Sequence, residues 1–409
     1  MVERSHSTVI SAMTIAAARG RPVDGIKGPS ACAKLRSLDL VWGFPPDYLH
    51  CVLEGVVSQL MDLWLCSTGQ RWYIGNRLKE LDEQIVKIRP SISFTRLPRP
   101  LSERSFWKAT EWKYWLLYYG VPTLQNLLPQ RYLTHFSLLS QSVFMLLKTT
   151  IQECEIILAE RLLKQFVEEV ATLYGENHLT FNIHQLVHLA KSVRMTGPLW
   201  VTSTFPFEGG NGEILKLVSA AKGVPQQIAE RYIMREVLKS LTRIVKLPPF
   251  LKRQQELILG KRGEQHQSRV LGAPLPRPVL ENCIKVLIED TVGHVALVSE
   301  YLRARLNGII VHSAQYRRPD KTCSEYLEAS DGKLCRVLRV FAVEASVLLL
   351  CQEFICGESL MPFLCEIEHP PTNVGLCLLR VEDIASPCVL VERTNRFFLA
   401  KIPNLYEKD

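Results

Sequence analysis

The chain has 409 residues, 47% hydrophobic and 22% charged, with Lys+Arg 49 against Asp+Glu 41 and a formal net charge of +8. This excludes a disordered or fibrous chain and provides for a sizeable core, while the length suits roughly two to three domains. The mild basic excess permits an acidic partner without requiring one, and no run reaches the ~20 apolar residues of a membrane span.

The opening MVERSHSTVISAMTIAAARG carries charge at both ends and no continuous apolar core, so no signal peptide and an intracellular protein are expected. Residues 48–65 place Leu49, Val52, Leu53, Val56, Leu60 and Leu63 at helical spacing, behind Pro45-Pro46 and an Asp47 able to cap the first turn. A second helix is predicted over 76–88, ended by Pro90; two prolines within three residues make the region after it irregular. Aromatic-rich residues 105–119 resume a helix, and 133–174 reads as one or two long helices. Residues 251–280 are basic, polar and Pro-bearing, the composition of a linker. Beyond them, short β-type runs separated by Gly, Pro and Asn follow, with Asp331-Gly332 as a hairpin signal. The expected architecture is α+β: a mostly helical zone over 1–250, a linker over 251–280 and a small β-rich, barrel-like domain over 281–409.

The 12 cysteines include no CxxC pair, and Cys351, Cys365, Cys377 and Cys388 lie inside apolar runs, so they read as reduced core residues. Four constellations could carry chemistry. Asp47 and His50, three apart at a helix start, can share a face, as a metal-binding pair or as a cap and its hydrogen-bonded neighbour. His184 and His188 are i,i+4 as in zinc helices, but Gln185 stands where a zinc protease carries its Glu, which favours buried, satisfied histidines. Glu208 sits between an aromatic-rich, strand-like run and a Gly-Gly-Asn-Gly turn; it could hold Mg²⁺ beside phosphate oxygens, or cap a helix beginning near Asn211. Arg96, Arg99, Arg104, Lys108 and Lys113 alternate with Phe94, Phe106, Trp107, Trp112 and Trp115, a mixture suited to nucleic acid and equally to a solvated face over an aromatic core.

In this order, GRPVDGIKGPS (20–30), VWGFPPDYLHCVLEGV (41–56), RLPRPLSERSFWKATEW (96–112), FNIHQLVHL (181–189) and GPLWVTSTFPFEGGNGEILKLV (197–218) resemble transposases of the CACTA (En/Spm-like) group. That group belongs to the CACTA–Mirage–Chapaev class of cut-and-paste elements. The resemblance spans the helical zone, and NGIIVHSAQYRR and the terminal PNLYEKD extend it into the last zone. It implies an RNase H-like core with a helical insertion and three acidic residues binding two metal ions for DNA strand cleavage and transfer. By this resemblance Glu208 matches the third acid, Asp47 and His50 match a supporting acid-x-x-His motif, and His184 and His188 match a recurrent pair before the Glu. The first two acids of the family lie upstream of its GxxGPS segment. Here only about twenty residues precede the GRPVDGIKGPS stretch, with Glu3 the only acid among them and in no matching context, and Ser219-Ala220 replaces an expected His-Gly.

The expected protein is therefore a truncated, catalytically inactive transposase derivative, nuclear or intracellular, with DNA and a second copy as partners and no membrane. Mg²⁺ is its cofactor only where an intact site exists. Two other readings stand beside it: a domesticated nuclear scaffold binding nucleic acid or protein, and the C-terminal part of an active transposase with a misplaced start.

Overall fold

The structure, a computed structural model, describes residues 3–245, 248–258, 268–276, 280–294, 297–317, 321–344, 346–368 and 375–407. The helices of the first half are α1 (His6–Arg19), α2 (Ser58–Cys66), α3 (Leu78–Ile85), α4 (Ala109–Tyr114), α5 (Gly120–Leu124), α6 (Gln130–Leu146) and α7 (Glu153–Tyr174). They are followed by α8 (Phe181–Thr196), α9 (Phe205–Leu215), α10 (Val224–Ile244), α11 (Pro249–Ile258) and α12 (Asn282–Val292). The strands begin with β1 (Arg269–Leu271), β2 (Val298–Tyr301), β3 (Arg303–Leu306), β4 (Ile309–His312), β5 (Tyr326–Ala329), β6 (Leu334–Val343) and β7 (Ser346–Glu353). The last are β8 (Cys356–Met361), β9 (Leu364–Ile367), β10 (Leu376–Leu379), β11 (Ile384–Pro387), β12 (Val389–Arg393) and β13 (Arg396–Ala400). Contacts gather these elements into two compact units, Met1–Gly75 with Leu128–Ser203 and Asn76–Leu127 with Thr204–Asp409. This grouping differs from the 1–250, 251–280 and 281–409 division that composition suggests, because residues 76–127 join the β-rich part.

The first unit is helical. Leu49, Val52, Leu53, Val56, Leu60 and Leu63 are all buried, as their spacing predicts, on one continuous helix. Its first stretch, Leu49–Val57, is wound as a π-helix before α2 continues it. Leu49–Cys66 is the one described helix long and apolar enough to cross a membrane, and 61% of it is buried inside the fold, as suits a core helix. The stretch 133–174 divides into α6 and α7 at the Thr149-Thr150-Ile151 run; the Glu155 carboxylate accepts the Gln152 N–H (3.0 Å) and opens α7. Trp64, fully buried, donates its indole N–H to the Tyr174 hydroxyl (3.2 Å) and meets Phe136 edge-on at 5.2 Å.

In the second unit every strand pairing is antiparallel. One sheet has the order β1-β3-β4, another β10-β7-β6-β5-β11 with β2 also on β6, and a third β12-β13-β9-β8. A bulge between Val337 and Arg339 re-aims β6, so that its first half pairs with β5 and its second with β2. Asp331-Gly332 turns the β5–β6 hairpin, with Gly332 at φ +87°. Val347, Leu349 and Cys351 of β7 pack towards Ala304, Leu306, Ile309 and Val311, whereas Leu348 and Leu350 pack against Ile284 and Ile288 of α12. The LLLC run is apolar at successive positions because both faces of β7 are covered.

Two expectations need correction. The small barrel is instead a set of open sheets: among the described residues β10 and β11, and β8 and β12, end their sheets unjoined, and closure requires the first and last strands to pair with a consistent stagger. The expected linker over 251–280 includes most of α11 and all of β1, which pairs with β3; residues 259–267 and 277–279 lie outside the described residues. A three-residue edge strand takes its place from its partner, which local composition does not reveal.

Burial lowers the pKa of His135 and of His312 below the ordinary histidine value of 6.5. Both are then neutral in the fold and take up protons more readily when unfolded, so their stabilisation is complete above pH 6.5 and is lost as pH falls through their folded values. His294 is raised by its hydrogen bond to Glu344 and would act in the opposite sense, but it is exposed and screened. The melting temperature is expected to fall between pH 7 and pH 5, above the range in which carboxylates titrate. Thermal melts across that interval, repeated with His135→Gln and His312→Gln, check this: the double variant should show a flatter profile.

Candidate functional site

The first unit holds both histidine constellations. Asp47 Oδ2 accepts the His50 backbone N–H at 3.2 Å and lies 2.6 Å from His50 Nδ1, so the carboxylate caps the helix start and orients the imidazole together. Gly55, one turn on, lets α8 approach closely: a Cβ there would stand 2.5 Å from Asn182 Nδ2 and 2.8 Å from the His50 carbonyl oxygen. Asn182 is two residues before His184, so this contact sets the helix carrying the histidine pair against the one that starts beside Asp47.

His184 and His188 bring their Nε2 atoms to 3.3 Å, with the rings edge to face. His188 also meets Trp42 edge-on at 6.0 Å, and the Lys191 ammonium sits 4.4 Å over the same indole. The His188 pKa is lowered, first by burial and then by His184, while Glu3 opposes the shift. A proton shared between the two nitrogens fits this geometry. So does one cation: two ring nitrogens on a tetrahedral ion, with bonds of about 2.0–2.1 Å, stand about 3.3 Å apart. Trp42 and Lys191, which frame His188, carry no spacing signal of their own in the sequence.

The second unit holds Glu208. Its helix begins at Phe205 rather than near Asn211: Pro206 occupies the first turn, and Thr204 O accepts the Phe207 and Glu208 N–H groups at 2.9 and 3.0 Å. Gly209, Gly210, Asn211 and Gly212 are therefore helical, not a turn, which corrects the expected cap. Glu208 is exposed in the first turn, where the helix dipole favours a carboxylate. A Cβ on any of these three glycines would meet nothing within 4 Å, so this helix face is bare. The loop after α9 is fixed by Gln227, whose Oε1 accepts the Ser219 and Ala220 N–H groups while its Nε2 donates to the Ala220 and Lys222 carbonyls.

The basic and aromatic set divides. Arg99 grips Glu111 through two contacts, 2.5 Å from Nε to Oε1 and 2.6 Å between Nη2 and Oε2. Lys113 is buried against Glu407 at 3.0 Å. Trp107, Trp112 and Trp115 are buried and Phe94 lies 4.3 Å from Tyr114, so these rings form core rather than a stacking platform; Phe106 is exposed. Lys108 is exposed at the start of α4, Arg96 is exposed, and Arg104 is half-buried. Of the set, Lys108 is thus the cation most open to a phosphate among the described residues.

Asp47, His50, His184 and His188 belong to one unit, and Glu208, Asn211 and the basic set to the other. Among the described residues no three His, Cys, Asp or Glu side chains gather closely enough to hold an ion. The single Glu208 carboxylate does not fit a pair of Mg²⁺ ions, so no cleavage step is derived from it. No protein-family model matches the chain, and no curated protein or solved structure matches it either.

Proposed function

We propose that the chain is a transposase-derived protein, a later portion of a CACTA-type core, which by itself neither cleaves nor joins DNA. One observation carries the reading: the helices around Glu208 present apolar side chains that are exposed among the described residues. Phe207 is 72% exposed and Leu215 69% on α9, and Met234 69% and Ile244 78% on α10, where Ile233, Val237 and Leu241 add to the same surface. A self-sufficient domain rarely exposes so many large apolar side chains along two successive helices. In the architecture implied by the resemblance, the strands bearing the first two acids would cover such helices, and Glu208 would face those acids. The bare glycine face of α9 supports the same reading, since glycine in a helix costs about 1 kcal/mol relative to alanine unless close approach requires it. On this reading the helices over 128–203 are insertion preceding the late acid, and the protein is nuclear.

A second reading, a domesticated scaffold that binds nucleic acid, is favoured by the packed sheets of the second unit and by the exposed Lys108. The two separate by experiment. Supercoiled plasmid incubated with the purified chain and Mg²⁺ or Mn²⁺ should remain un-nicked, with Glu208→Ala indistinguishable from wild type. Metal-dependent nicking lost in Glu208→Ala would overturn the proposal. DNA affinity that falls steeply with salt, with a log–log slope reduced by about 1 in Lys108→Ala, would favour the scaffold.

A further inference from the structure

We propose that Cys377 and Cys351 are a redox-sensitive pair that closes to a disulfide between β10 and β7. They are Cα partners in the antiparallel ladder, the one such cysteine pair among the described residues. Opposed residues of an antiparallel pair have Cα atoms about 4.5–5.5 Å apart, inside the disulfide window of about 4.4–6.8 Å. Opposed residues also share a face, and both thiols belong to one apolar cluster. By contrast Cys356 and Cys365, on β8 and β9, are out of register, opposite Ile367 and Ser359.

The pair is asymmetric in the way such chemistry needs. Cys351 is fully buried, and burial raises its pKa, so it is held as a thiol. Cys377 is only half-buried and can be reached by a small oxidant. A third thiol, Cys335, stands on β6 opposite Glu353, a diagonal neighbour of Cys351 in the same apolar cluster. The neighbouring Cys335 thiol lowers the Cys377 pKa, against burial and the Glu353 carboxylate, which both raise it; Lys333 adds a smaller lowering. A thiolate is the reactive form, so Cys377 is the sulfur oxidised first.

The Cys377 thiolate attacks one oxygen of hydrogen peroxide, the O–O bond breaks, and hydroxide leaves, giving Cys377 sulfenic acid. Cys351 sulfur then attacks the Cys377 sulfur; the S–O bond breaks, and the hydroxyl leaves with the Cys351 proton as water. Two electrons pass from the two sulfurs to the peroxide. The product ties edge strand β10 to its neighbour β7.

The test treats the full chain with dilute hydrogen peroxide, blocks the remaining thiols, and maps linked peptides by mass spectrometry with and without reductant. The expected result is loss of two of the 12 thiols and a reducible peptide joining residues 351 and 377. Cys351→Ser should instead leave a sulfenic acid at Cys377 that dimedone traps, which keeps the test open should Cys377→Ser fold poorly. Cys377 remaining reduced while the exposed Cys66, Cys154 and Cys283 oxidise would overturn the proposal, as would a link from Cys377 to Cys335.

Discussion

Replacing Glu407 by alanine is expected to destabilise the second unit by about 3–5 kcal/mol, the effect of stranding one member of a buried ion pair. The Lys113 and Glu407 side chains are 9% and 6% exposed and meet at 3.0 Å. The Lys113 ammonium also lies 5.1 Å over the Phe205 ring, so its stem and charge are enclosed on several sides. The tail reaches it through a turn in which Asn404 Oδ1 accepts the Tyr406 and Glu407 N–H groups. Without Glu407 the ammonium has neither its carboxylate nor water. Glu407→Gln should cost less, since an amide oxygen still accepts a hydrogen bond, and Lys113→Met with Glu407→Leu should recover most of the loss, because packed apolar residues often replace a buried pair without penalty. The exposed Arg77–Glu80 pair is the control, with its removal expected to cost no more than about 1 kcal/mol. Urea unfolding of the four variants checks the ranking; a cost for Glu407→Ala no greater than that of the control would mean the tail is not docked.

The second large effect falls in the first unit. Trp64→Ala should cost about 3–5 kcal/mol, because a fully buried indole leaves a cavity that its neighbours cannot fill. Those neighbours are held by one another: Trp72 meets Tyr132 at 5.8 Å and Tyr174 at 5.3 Å, so the aromatic wall cannot slide inward cheaply. Trp64→Phe keeps the edge-on contact with Phe136 and loses the hydrogen bond to Tyr174, which should reduce the cost to a minority of the alanine value. Denaturant midpoints of the two variants measure the difference.

The residues that sequence reading placed correctly are those whose signal is local. Helical spacing identifies the buried side of 49–65, and Asp331-Gly332 identifies a hairpin, because a 3.6-residue period and a positive φ are properties of adjacent residues. The π winding of Leu49–Val57 is not legible, since it keeps the same side chains buried while shifting the backbone bonds. Gly-Gly-Asn-Gly reads as a turn from propensity, yet Pro206 and the Thr204 carbonyl carry α9 through it. The basic set misled for a different reason. Arg99 and Lys113 are satisfied by Glu111 and Glu407, and the latter is 294 residues away, beyond any spacing rule. Strand number likewise did not reveal whether the sheets close, because closure depends on which edges meet.

The measurement that bears most directly on the central claim is the DNA sequence immediately upstream of the codon for Met1, read in all three frames. A transposase-derived core whose Glu208 is the third acid predicts a neighbouring segment, intact or interrupted, that encodes apolar strands carrying two aspartates ahead of the Gly28-Pro29-Ser30 motif. Upstream DNA that encodes no such segment in any frame would contradict the account, and the apolar side chains exposed on α9 and α10 among the described residues would then need a different explanation.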